Sequence, residues 1–203
     1  MNPDSAPEAP TVSAQRFDEW PEAASIRGAQ FIRCVFGGVD AAERETSHAR
    51  FDGCEFFGVR LNGSRHRLSA FVNCRFNGVN FFEAQLDRCK LLGSEFVDVR
   101  WDGIHILEGD WSYAGLCLAR LAGADFHGAR LCEADLREAD LTGADLRGAD
   151  LTRAVLAKAR LGRADLRGAR LDGIDFRQVD LTGVRFDMAQ AVRVVEGLGA
   201  RVE

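Results

Sequence analysis

An all-β solenoid, a square coil of five-residue blocks ended by a short capping helix, is the fold class this sequence predicts, and two periods and one break carry the prediction. From Ala124 onward the chain can be cut into ADFHG, ARLCE, ADLRE, ADLTG, ADLRG and their successors. Leu or Phe then falls at every fifth residue from Phe126 to Leu181, with a small residue two positions before each. A second period, of twenty, is visible where Phe31-Ile-Arg-Cys34-Val-Phe36 recurs as Phe51-Asp-Gly-Cys54-Glu-Phe56 and as Phe71-Val-Asn-Cys74-Arg-Phe76. The break follows Phe186, where the frame of five stops and a helical pattern begins.

Residues 1–24 read as a flexible acidic segment. They are rich in Pro and hold Asp4, Glu8, Asp18, Glu19 and Glu22 against Arg16 alone. That net of −4 is most of the chain's −5, so the other 179 residues carry only −1 and steer partners by where charges lie, not by their sum. The N-terminus lacks the basic start and apolar core of an export signal, and no apolar run approaches the ~18 residues of a membrane span. A cytoplasmic protein with no membrane contact is expected, with its six cysteines reduced.

Residues 25–186 form the coil. A period of five fits neither an amphipathic helix nor an isolated strand. Carried backward, the frame runs from Ile26 to Phe186 as 33 blocks without an insertion. Twenty residues make four blocks per coil, which puts Phe31, Phe51 and Phe71 in one column and Phe36, Phe56, Phe76 and Phe96 in the next, as aromatic ladders. With layers about 4.7–4.9 Å apart, roughly eight coils and a rod on the order of 40 Å follow. Each buried Leu or Phe contributes about 1.5–3 kcal/mol. Gly at the last block position suits corners of positive φ.

Three places strain the frame. The block from Arg44 to His48 would turn Arg44 and Thr46 inward, and its predecessor offers only Ala41 as a centre. Burying an unpaired guanidinium is too costly, so residues 40–48 are expected to leave the coil as a loop. His66 also occupies a centre and predicts a local bulge. Trp111 is large for its slot, and Gly109 two residues before it offsets the volume.

Residues 187–203 supply a cap, which the open end of a solenoid needs. Asp187 is placed as N-cap and Gly197 as C′ of a helix whose Met188, Ala191, Val192 and Val195 share one face. That face covers the last coil or meets a second subunit.

The sequence shows no catalytic apparatus, and no cofactor is expected. There is no phosphate loop, nucleophile elbow or Ser/His/Asp grouping, and a shaft filled with Leu and Phe leaves little room for a ligand. His48, His66, His105 and His127 fall in one column but at different block positions, without metal-ligand spacing. Cys34, Cys54 and Cys74 line the shaft as small hydrophobes, while Cys117 and Cys132 lie at outward positions. What remains is the outer surface. Asp125, Asp145 and Asp165 recur once per coil, a carboxylate ladder able to imitate a phosphate line. The same acids have His127, Arg147 and Arg167 two residues on, and pairing with these is the alternative.

The A-D-L-x-x run resembles the pentapeptide-repeat family over residues 26–186, and the resemblance implies a right-handed quadrilateral β-helix. The irregular first half with SAFVNCRF and CKLLGSEF, the break near Trp101 to Trp111 and the cap DMAQAVRVVEGLGARV are similar to the MfpA and Qnr type. That likeness implies binding to DNA gyrase and topoisomerase IV, protection from fluoroquinolones or natural poisons, no direct contact with nucleic acid, and a homodimer through Phe186, Met188, Ala191, Val192, Val195 and Leu198. The DNA-mimic members owe their action to an acidic surface, whereas this coil interleaves Arg with Asp. Two other readings stand beside it. One is a scaffold with an unrelated partner, docking through Phe57, Phe82, Leu92 and Leu107; the other is metal or redox sensing through the histidines with Cys117 or Cys132.

Overall fold

A computed structural model describes residues 10–202 and shows a four-sided parallel β-helix closed by one C-terminal helix. Three of its sides are parallel ladders of short strands. The first side stacks β1 (Thr11–Ser13), β3 (Gln30–Ile32), β6 (Arg50–Asp52) and β9 (Ala70–Val72). The second stacks β2 (Arg16–Phe17), β4 (Val35–Gly37), β7 (Glu55–Phe57), β10 (Arg75–Asn77) and β12 (Glu95–Val97). The third side consists of turns joined by single bridges, Asp40 to Arg60 to Asn80 to Arg100. The fourth stacks β5 (Glu45–Ser47), β8 (Arg65–Arg67), β11 (Gln85–Asp87) and β13 (His105–Leu107).

The period of twenty is the ladder register: Phe31 pairs Phe51, Phe51 pairs Phe71, and Phe36, Phe56, Phe76 and Phe96 follow one another. Their rings stack at 4.7–4.9 Å, the spacing of the backbone layers. Eight coils overcounts the regular ladder, which is at most five strands deep. From Trp111 the blocks become turns tied by isolated bridges, as Ala-Asp-Leu replaces the aromatic and β-branched residues that favour strand.

The coil also begins earlier than residue 25. Val12 pairs Phe31 and Phe17 pairs Phe36, nineteen residues apart instead of twenty, and Trp20 lies over Phe36 and Phe51 as a lid. The short helix α1 (Ala23–Ile26) carries the chain across this slip. Residues 1–9 of the acidic segment lie outside the described residues.

Neither expected interruption occurs. Residues 40–48 stay in the coil: Asp40 bridges Arg60, Ala41 is buried, and β5 pairs β8. Arg44 is exposed, so the position two before a centre lets a long side chain leave the shaft, while its carbonyl still accepts from Arg65 at 2.9 Å. His66 makes no bulge. It is paired in register with Thr46 and Leu86 and is 1% exposed, because both ring nitrogens are satisfied: Thr46 Oγ1 is 2.7 Å from Nδ1 and Ser64 Oγ is 2.9 Å from Nε2. Thr46 also meets Ser69 Oγ at 3.0 Å, so one coil carries a closed polar network inside an apolar shaft.

Burial holds the His66 imidazole down at about 4 from an ordinary 6.5. The unfolded chain therefore takes up a proton first, and stability is lost as pH falls from 6.5 towards 4. About 3 kcal/mol should disappear between pH 7.5 and pH 4. His66→Leu should flatten that window, since Thr46 keeps Ser69 and Ser64 keeps the Leu61 carbonyl at 2.6 Å. Urea unfolding at both pH values measures it; an unchanged slope in the variant would assign the loss to other groups.

Trp111 is fully buried, as Gly109 permits. Gly109 has φ +115°, and a Cβ there would lie 2.7 Å from the Cys89 carbonyl.

Candidate functional site

With the shaft filled, the exterior is what a partner can touch. Block geometry determines it: the residue before a centre and the one after it emerge on the same side. In an Asp-Leu-Arg block the guanidinium therefore folds back on the carboxylate two residues earlier. This happens at Asp135 with Arg137, Asp145 with Arg147, Asp165 with Arg167 and Asp175 with Arg177, at 2.5–2.6 Å. Pairs one coil apart add a second direction, as in Asp140 with Arg160 and Asp150 with Arg170.

The predicted carboxylate ladder is present as geometry. Asp125, Asp145 and Asp165 are successive bridge partners on the fourth side, between His105 and Arg185. Its charge is largely cancelled. Asp145 accepts from the Arg147 guanidinium and backbone N–H, and Asp165 accepts the same set from Arg167 plus Arg185 at 3.4 Å. The Arg167 guanidinium holds the Asp165 carboxyl down at about 2, and Arg147 likewise lowers Asp145. Among the described residues Asp125 accepts only from the His127 backbone N–H, at 2.9 Å. Asp145 and Asp165 thus pair with arginines, as the alternative reading has it, while Asp125 does not pair with the His127 side chain.

The second feature is the C-terminal helix α2 (Met188–Gly197). Asp187 caps it as expected: its Oδ1 accepts from Ala189 and Gln190 N–H, Gln190 Oε1 accepts from Asp187 N–H, and Oδ2 ties the cap to the coil at Gly168 N–H, 2.9 Å. The face against the coil is Gln190, Val194 and Gly197, with Gln190 Nε2 donating to the Ala169 carbonyl at 3.2 Å. The last helical residue is Gly197, and the left-handed position expected there falls at Gly199, φ +92°. Met188, Val195 and Leu198 point outward, at 84%, 40% and 48% exposure, with Ala191, Val192 and Phe186 half-buried beside them. The predicted stripe is thus the outer face of the cap, not its coil side.

Other candidates do not assemble. Phe57, Phe82, Leu92 and Leu107 lie on the second, third, first and fourth sides respectively, so they form no common patch. His48, His105 and His127 are exposed while His66 is sealed in the core. Cys34, Cys54 and Cys74 are buried in one column, and Cys117 and Cys132 are half-buried on different sides. Among the described residues no group of three His, Cys, Asp or Glu side chains is placed to hold a metal ion, and no helix is long and apolar enough to cross a membrane.

The comparisons agree with this architecture. Over its whole length the chain is similar to two trypsin-treated forms of QnrB1, a plasmid-mediated fluoroquinolone resistance protein. The TM-scores are 0.71 and 0.67, with 22% and 21% identity, covering 96% and 95% of this chain and 98% of each of those. It is also similar to HetL, a pentapeptide repeat protein involved in heterocyst differentiation regulation from the cyanobacterium Nostoc sp. strain PCC 7120, at TM-score 0.55 and 26% identity over 86% of both chains. No curated protein matches the sequence. The family model "Pentapeptide repeats" matches residues 119–157 and 159–195 in eight copies. The same frame of five runs back through the aromatic half, so the pentapeptide repeats matched in the Leu-packed half continue a coil that begins in the aromatic one.

Proposed function

We propose that this chain acts without chemistry of its own, as a homodimeric rod that binds a type II DNA topoisomerase, DNA gyrase or topoisomerase IV, and protects it from quinolones or natural topoisomerase poisons. The observation that carries the reading is the likeness in fold to QnrB1, a fluoroquinolone resistance protein, over 96% of this chain and 98% of that one. The outward apolar stripe of Met188, Val192, Val195 and Leu198 supports a two-fold contact between copies, since such a stripe at the end of a rod is otherwise left to water.

Any imitation of DNA rests on shape and not on charge. A duplex carries one net charge per ~1.7 Å, whereas Asp145 and Asp165 of this rod are bound to arginines on the same side. The Asp125→Asn, Asp145→Asn, Asp165→Asn variant keeps an oxygen for the backbone N–H groups of His127, Arg147 and Arg167. It should inhibit gyrase supercoiling to within about twofold of the parent. A tenfold loss would make the ladder a contact after all. The function itself is tested by titrating the purified protein into supercoiling and quinolone-cleavage assays. Supercoiling should fall and drug-stabilised cleavage should be relieved over the same range; no effect on either abandons the reading.

A further inference from the structure

From residues 31–50 to residues 151–170, successive coils are zipped by backbone bonds on all four sides except at one level. Between residues 91–110 and 111–130 the first two sides are joined: Leu91 N–H donates to Asp110 at 2.7 Å, Gly93 to Ser112 at 3.0 Å and Phe96 to Gly115 at 3.1 Å. Around the rest of the perimeter the N–H groups of Asp98, Trp101, Gly103 and Glu108 make no such bond, nor does that of Arg120 on the other lip, among the described residues, and Ile106 and Asp125 are held only by the His105 to Asp125 bridge. His105 and Asp125 still face each other there as bridge partners. One coil earlier the equivalent bonds are intact, from Phe81 to Arg100 at 2.8 Å and from Glu83 to Asp102 at 2.9 Å. One coil later they are intact again, from Leu121 to Asp140 at 2.8 Å and from Phe126 to Asp145 at 2.8 Å.

Three features coincide with this gap. On the third side Arg100 and Arg120 are successive residues of one column, where Asp40 with Arg60 and Asp140 with Arg160 pair opposite charges, and the Arg100 to Arg120 bridge is missing. The second and fourth sides change there from strand blocks, ending in β12 and β13, to turn blocks. The shaft narrows from Trp101 to Leu121 at the same level. Core residues on the lips are slightly open: Trp101 and Ile104 are 4% exposed, Ala124 7% and Ala119 8%, against 0% for Leu61, Leu141 and Leu146. A cleft of about 600 Å³ enters here, lined by Trp101, Asp102, Ile104, Leu118, Arg120 and Ala124.

We propose that the rod is two rigid halves joined by a hinge along the sides of Leu91 and Phe96, and that the seam between residues 98–108 and 117–127 opens and closes about it. The inner coils of each half are stiff because they are bonded on four sides, and bending concentrates where the third side is unbonded and the fourth is held only by the His105 to Asp125 bridge. The inference stands whatever partner the rod binds.

Amide hydrogen exchange on the full chain tests it, in a Cys117→Ser, Cys132→Ser background that leaves the shaft untouched. Trp101, Gly103 and Glu108 should exchange at least about 30-fold faster than Leu121, Gly123 and Gly128. A staple separates motion from a fixed gap. Asp102→Cys with Ala122→Cys spans the seam, and Ala122→Cys with Thr142→Cys spans the bonded level below. A disulfide needs Cα atoms about 4.4–6.8 Å apart, so the first pair bonds only when the seam closes. It should form more slowly than the second and, once formed, bring the seam amides to within about threefold of their neighbours. Equal exchange without a staple, a seam pair that never bonds while the lower pair does, or a formed staple that leaves exchange unchanged would each overturn the hinge.

Discussion

Phe56→Ala is expected to remove about 3–5 kcal/mol of stability, a large share of the ~5–15 kcal/mol a folded domain of this size has. Phe56 is fully buried, stacked between Phe36 at 4.9 Å and Phe76 at 4.7 Å, and edge-on to Phe51 at 5.7 Å and Phe71 at 6.0 Å. The layers above and below are pinned by backbone bonds at ladder spacing, so they cannot collapse into the space a lost ring leaves. In a stacked solenoid the loss is passed to nearest neighbours, so the aromatic half should unfold ahead of the Leu-packed half. Urea unfolding would then split into two transitions, and exchange at Phe36, Phe56 and Phe76 would rise before exchange at Leu141. Phe57→Ala next door, a half-exposed ring, should cost less than about 1 kcal/mol. A Phe56→Ala cost as small as that would mean the rings fill space without supporting the stack.

How much of this was legible follows from where period and chemistry agree. The register of Phe31 through Phe96 was readable because the same aromatic recurs at twenty, and the fold repeats that interval as ladder pairs. The first coil was not, because the single-residue slip between Phe17 and Ile26 moves its inward positions to Val12 and Phe17, off the frame counted from the other end. Residues 40–48 were misread because Arg44, two before a centre, turns its side chain out of the shaft, and His66 because a polar residue at a centre was priced as if it stood alone. Thr46, Ser64, His66 and Ser69 satisfy one another, and that network needs residues twenty and twenty-three apart to meet. The carboxylate ladder was legible in position but not in charge. Its neutralisation was open to view in the Asp-Leu-Arg spacing, which places acid and guanidinium on one side of every such block. The seam had a signal as well, Arg100 and Arg120 in one column, although only the missing bonds show what it does.

The cap gives the second large effect, and it separates the coil from the proposed dimer. A Cβ at Gly197 would lie 2.7 Å from the Ile174 carbonyl and 2.7 Å from Phe176 Cδ2, backbone and a packed ring that have little freedom to move. Gly197→Ala must therefore lift the end of α2 from the last coil, at about 1–3 kcal/mol. That coil is already the least bonded: Phe176 N–H reaches only Gly197 O, at 3.4 Å, and Val179, Leu181 and Val184 are incompletely covered. Lifting the helix exposes them together with an unpaired coil edge, so the variant should aggregate on warming and exchange rapidly at Phe176. It should also lose the dimer, because the outward stripe is carried by the helix that has moved. Val195→Glu tests the stripe alone. Val195 is 40% exposed on the outer face of the helix, so a charge there should yield a monomer by light scattering with the thermal transition of the coil preserved. If Val195→Glu remains as large as the parent, copies of the chain do not meet through this helix. If it unfolds like Gly197→Ala, the stripe belongs to the cap's own packing instead.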